Sequence, residues 1–263
     1  MTTATPTKKE RRDQARRERI AREQAEAGRT ARRRRFTRLG AVLGAAAIVV
    51  AILVAVSSSG GGNAASSSSA SSSASVAGAQ ASQSLLNGIP QKGLTLGNAG
   101  APVRVLEFAD LQCPFCRDYT TGVMPGLVQK YVRTGKVRME FHALAFIGPD
   151  SVRAARVAEA AGRQNKLWNV ADLAYHNQGK ENSGWATDAK LRSIATAVPG
   201  LDVNQVFAAR NSAAVTAQLK AAGDLASRSG VSETPTFLVG RGSSLKAVDA
   251  AGLPAAIKAA VGS

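Results

Sequence analysis

Val103-Arg104-Val105-Leu106-Glu107-Phe108, followed after a short loop by Cys113-Pro114-Phe115-Cys116, is the stretch on which the fold turns. Its first six residues interleave apolar side chains with Arg104 and Glu107 and are rich in strand formers, which predicts a β-strand. Cys113 then opens a segment, to about Gly135, that reads as helical with a kink at Pro125. Val137 to Phe146 reads as a second strand, so the three elements make a β-α-β unit. A cysteine in the first turn of a helix meets free amides and the positive end of the helix dipole, which favour an anion. The pair therefore reads as chemical. Cys113 is the nucleophile as a thiolate, and Cys116, one helical turn on and more buried, can attack and resolve a mixed disulfide.

These are the only two cysteines among 263 residues, so they cannot form a disulfide framework that holds a fold together. The rival chemistry is zinc, whose closed sites need four ligands. It would have to recruit both histidines, His142 and His176, which lie in separate elements with no other ligand close in sequence. Packing or surface roles suit them better, and no metal or organic cofactor is implied.

The formal charge of +16 is unevenly spread. Residues 1–38 hold fourteen Lys/Arg against five Asp/Glu, and the rest of the chain carries twenty against thirteen. The arm reads as a solvated helix or a disordered segment, and as a topological signal that also touches anionic lipid. Nucleic-acid binding would rest on this arm alone, where neither aromatic residues nor a fold motif accompany the charge. The eighteen residues Leu39 to Val56 carry no charge and, as a helix, would cover roughly 27 Å at about 1.5 Å per residue. That nearly spans a hydrocarbon core of about 30 Å. Arg32 to Arg35 and Arg38 directly precede it, so residues 39–56 are expected as a single transmembrane helix with the arm cytoplasmic and the remainder outside. A cleaved signal peptide ending near Ala55-Val56-Ser57 is the alternative. Residues 57–84, with thirteen serines in 28 positions, read as a flexible linker, with a reach on the order of 30 Å.

Residues 85–263 are enough for one domain. From about 149 to 230 the chain is Ala-rich and largely helical, broken around Gly179 to Thr187 and at Pro199-Gly200. Its last helix is read as starting from a capping box at Asp202 and Gln205 and continuing through Val215, Leu219, Ala222 and Ala226. A strand at Thr236 to Val239, a hairpin partner near Leu245 to Val248 and a terminal helix from Pro254 follow. Trp168 and Trp185 read as packing residues of the helical region.

Val105 to Phe108, then Cys113-Pro114-Phe115-Cys116, and far downstream Thr234-Pro235-Thr236-Phe237, together resemble the DsbA-like thioredoxin family over about residues 92–263. The resemblance implies an α/β thioredoxin-like fold with an inserted helical subdomain. It also implies that Pro235 is a cis proline facing the cysteines, with the Thr234 backbone pairing an extended substrate; an ordinary turn proline is the alternative. Glu107 matches the family's buried acid beneath the cysteines, which exchanges a proton with the buried one; an exposed strand carboxylate is the alternative. Pro114 and Phe115 would tune the redox couple, and Phe115 departs from the His of the best-known oxidising members, giving the thiolate neither charge nor hydrogen bond.

The function expected is an extracytoplasmic thiol-disulfide oxidoreductase that oxidises cysteine-containing exported polypeptides and is regenerated by a membrane redox partner. A reductase or isomerase kept reduced by a membrane donor is one alternative. A redox-inactive peptide-holding module, for which both cysteines are dispensable, is another.

Overall fold

The computed structural model describes residues 76–262. The chain enters through helix α1 (Ala79–Leu86) and a short hairpin, β1 (Gln91–Lys92) and β2 (Thr95–Leu96). Strand β3 (Val103–Ala109) leads into α2 (Pro114–Gly122), α3 (Met124–Leu127), a π-helical turn over Val128–Val132, and β4 (Val137–Ala143). Helices α4 (Pro149–Gly162), α5 (Leu167–His176), α6 (Asp188–Thr196), α7 (Val203–Ala209) and α8 (Ala213–Arg228) form the insertion. Strands β5 (Thr236–Arg241) and β6 (Ser244–Val248) and helix α9 (Leu253–Gly262) close the domain.

The six strands make one sheet in the order β1-β2-β4-β3-β5-β6. Only β3 and β4 run parallel, as the β-α-β crossover requires, and the other neighbours are antiparallel. Strand β3 is central and buried almost throughout, so its outward-reading Arg104 reaches across to a bidentate pair with Glu140 at 3.1 Å. This is the expected thioredoxin-like sheet. Of the expected kink, Pro125 sits in the first turn of α3, where its missing N–H costs nothing, and α2 has already ended at Gly122.

Helix α5 packs the insertion onto the sheet. Trp168 is fully buried, meets Phe141 edge-on at 5.7 Å and donates its indole N–H to the Leu94 carbonyl at 2.8 Å. Trp185 is partly buried against the same core. Truncating Trp168 to Ala would cost roughly 3–5 kcal/mol.

Three expectations need correction. The flexible linker expected over 57–84 is helical from Ala79 onward, with Ser82, Leu85 and Leu86 buried. The reason is tertiary: Arg133 satisfies the orphan carbonyls of Leu85 and Asn87 at 2.8 and 3.0 Å, and the Asn177 amide pairs with both backbone groups of Ala77. The helix read as continuous from Asp202 is two helices, because Ser212 caps a second start by accepting from the Val215 N–H. Asp202 does cap the first, accepting from the Gln205 N–H at 3.0 Å. The second strand stops at Ala143 rather than Phe146, where Asp110 takes up the N–H groups of Phe146 and Ile147. Among the described residues no helix is long and apolar enough to cross a membrane. The basic arm and the span expected over 39–56 lie outside them.

Candidate active site

Three separated segments converge at the end of β3. The loop after the strand is set by Asp110, whose carboxylate accepts from the Gln112 N–H two residues on and from the start of the β4–α4 loop. Gln112 in turn ties this loop to the insertion, donating to Ser151 and accepting from the Asn182 N–H at 2.7 Å. Asp110 and Gln112 were missed at the sequence level, although the Asp-X-Gln spacing is that of an Asx turn. Asp150 holds the insertion's own loop by accepting from the N–H groups of Gly184, Trp185 and Ala186 and from the Arg153 guanidinium.

On that platform Cys113 is the N-cap of α2, with φ −68° and ψ 120°, and Pro114 occupies the first turn, where a proline is pre-organised. Cys113 Sγ accepts the Cys116 N–H at 3.4 Å and lies 3.3 Å from the Thr234 carbonyl, 121 residues away in sequence. The Thr234–Pro235 bond is cis, as the resemblance implied. The two cysteines are not joined by a disulfide. The Cys113 thiol is held down from 9.0 to about 6, chiefly by a hydrogen bond from the Cys116 side chain, with help from Thr234 and the amides of Cys116 and Phe115, against the opposing cost of its burial. Cys116, fully enclosed, is pushed far up by that burial and by the neighbouring Cys113. One sulfur is thus a thiolate at neutral pH and the other a thiol.

On strand β3, six residues before Cys113, Glu107 is 1% exposed, and burial raises its carboxyl to about 8. The Phe115 side chain is 72% exposed, so only its backbone amide acts on the sulfur. With Phe146, also exposed, it adds apolar surface to this part of the fold. His142 stacks on Phe108 at 5.2 Å and His176 lies 3.9 Å from Asp172, so the two histidines are engaged separately.

A nucleophilic thiolate, a buried partner thiol one turn away, and a carboxyl that titrates near neutrality can pass two electrons between dithiol and disulfide. The comparisons agree. The sequence model of the thioredoxin family matches residues 90–259. A probable disulfide bond formation protein D of Bacillus cereus is 40% identical over 42% of this chain and 53% of its own length. Its Bacillus anthracis counterpart is 33% identical over 55% and 68%. The chain thus spans about half to two thirds of the length of these curated relatives. The crystal structure of Chlamydia trachomatis DsbA superposes with a TM-score of 0.56 at 22% identity, covering 64% of this chain and 89% of that one. This protein belongs to the thioredoxin family, and the curated relatives it resembles are disulfide bond formation proteins.

Proposed function

We propose that the protein oxidises cysteine pairs in exported polypeptides through the Cys113/Cys116 couple, on the outer side of a bacterial cell membrane. The depressed Cys113 thiol is the observation that carries this direction. A substrate thiolate attacks Cys113 of the enzyme disulfide, Cys116 departs with the electron pair and takes a proton, and the second substrate thiolate then displaces Cys113. The substrate dithiol loses two electrons and two protons; the enzyme disulfide gains both electrons, Cys116 takes one proton, and the other passes to solvent because Cys113 leaves as a thiolate. A thiol of low pKa leaves readily in the last step and stabilises the reduced enzyme, both of which favour oxidation.

At pH 7 a thiol moved from 9.0 to about 6 stabilises the reduced state by about 1.4 kcal/mol before screening. Discounted for solvent screening near the surface, roughly 1 kcal/mol remains. That amounts to about 20 mV toward oxidation.

Glu107 serves as proton donor and acceptor for Cys116. Thr234 and Pro235 receive an extended substrate chain, whose sulfur is brought close to Cys113 by the 3.3 Å approach of the Thr234 carbonyl. Pro114 fixes the helix start, and Phe115 acts on Cys113 through its amide. Residues 39–56 anchor the domain with the arm of residues 1–38 inside, residues 57–75 tether it, and a membrane redox partner restores the disulfide. Equilibration of the purified protein with glutathione tests the direction. A potential above the roughly −270 mV of thioredoxin is expected, and one at or below it makes the protein a reductase.

A further inference from the structure

Glu107 has Phe141 and Phe237 as its register neighbours on the two flanking strands, so the sheet offers its carboxyl no proton partner. Its Oε2 has no hydrogen-bond partner among the described residues, and Glu107 lines a void of about 10 Å³. The other polar groups on that wall are Thr120 of α2, Asp172 of α5, and Trp168 and Tyr175, whose indole N–H and hydroxyl already donate to the Leu94 and Asp110 carbonyls. Thr120 Oγ1 and both Asp172 oxygens also lack partners, and these two residues are 3% and 2% exposed. Buried polar groups are ordinarily paired, so three such side chains around one void mark a place for a shared bridging group. The volume is at the lower limit of roughly 10–15 Å³ for one water.

Asp172 also has an outer side. The Ser82 hydroxyl of α1 is close enough to favour its ionised form, although without normal hydrogen-bond geometry, and His176 Nε2 lies 3.9 Å from Oδ2. His176 is partly exposed beneath Gly78, a position with φ +76° where any side chain would run into the imidazole.

We propose that Asp172 is a positioning residue for proton transfer: a water bridging Glu107, Thr120 and Asp172 connects the buried Cys116 to His176 and bulk solvent through the helical insertion. This rests on Cys116 being the resolving sulfur. During resolution Cys116 forms its bond to Cys113 while the bond from Cys113 to the departing sulfur breaks, and that sulfur leaves with the electron pair as a thiolate. The Cys116 proton goes to the Glu107 carboxylate, on to the water, to Asp172, and out at His176. When a substrate opens the enzyme disulfide, Cys116 leaves as a thiolate and the same route delivers its proton inward. Burial raises both carboxyl groups, Glu107 to about 8, and so favours the protonated form of each. The groups facing the pair are Tyr119 and Tyr175 around Glu107, each of which also feels Cys116 and is held neutral by burial, and Ser82 and His176 around Asp172.

The test uses the full chain carrying a Cys113–glutathione mixed disulfide and follows glutathione release from pH 5 to 9. Asp172→Asn should slow release by at least about tenfold, less than the roughly 10² to 10⁴ of a positioned base because Glu107 remains. Asp172→Glu should recover part of the loss, and the pH profile of Cys113 alkylation should not move. In a Glu107→Gln background, Asp172→Asn should add no further slowing. His176→Gln, at the protein surface, should also slow release, with imidazole in the buffer restoring it. That variant decides alone if Asp172→Asn fails to fold. Wild-type release in His176→Gln or in folded Asp172→Asn overturns the relay, as does additive slowing with Glu107→Gln. Release that persists in Cys116→Ser instead overturns the assignment of the resolving sulfur.

Discussion

Replacing Cys116 by Ala should raise the pKa of Cys113, because the Cys116 side chain is the strongest of the groups holding it at about 6. A hydrogen bond to a charged group contributes about 1.5–3 kcal/mol. At about 1.4 kcal/mol per unit, its loss lifts the pKa by roughly 1–2 units, to about 7–8. The amides of Cys116 and Phe115 and the Thr234 side chain remain, which is why the thiol does not return to 9.0. At pH 7 the thiolate fraction should fall from about nine tenths to between about a half and a tenth. The pH profile of iodoacetamide alkylation, with thiolate ultraviolet absorbance alongside, reads this directly, since the variant holds a single cysteine. A half-titration point that stays near 6 refutes the reasoning and leaves the helix amides as the stabilising agent. A point that falls would refute it more severely.

Cys113→Ser should abolish dithiol oxidation while Cys116→Ser accumulates mixed disulfides with substrate, seen as thiol-sensitive bands on a gel; equal trapping by both removes the division of roles. Glu107 and Glu159 are both raised by burial from 4.5 to about 8, so the stability they contribute is present below 4.5 and is lost as pH rises toward 8. In the disulfide form, where Cys113 does not titrate, urea midpoints should therefore fall from pH 5 to 8, and Glu159→Gln should flatten the decline. Protease added to intact spheroplasts should release the domain by cutting between Ser57 and Ser75, upstream of the helix that starts at Ala79; a protected domain reverses the proposed topology.

The sequence was most legible where chemistry and backbone geometry share the same few residues. Strand β3, the Cys113 cap and the strand after Pro235 could be read because strand composition, a proline at a helix start and the two-residue spacing of the cysteines are local signals. Helix α1 was hidden because Ala, Ser and Gln predominate before Leu85, and its stabilising partners Arg133 and Asn177 lie far down the chain. The β1–β2 hairpin is too short to show a period of two. Thr120 and Asp172 carried no signal at all, since nothing in a helical Asp or Thr announces that it will share a void with a strand residue 13 or 65 positions earlier. Glu107 was found only because the family pattern points at it.

The contact between Cys113 and Thr234 spans 121 residues, and the central strand waits slightly longer for its antiparallel neighbour β5, whose Thr236 pairs with Phe108 and whose Arg241 pairs with Val103. A ribosome adding about 5–20 residues per second delivers the cysteines roughly 6–24 s before the backbone that covers them. Through that interval β3 has β4 for company on one edge and an open ladder on the other, with two vicinal thiols beside it. The newborn enzyme is for those seconds a client of its own kind, exposed to whatever oxidant or chaperone stands at the exit before it can act on anything else.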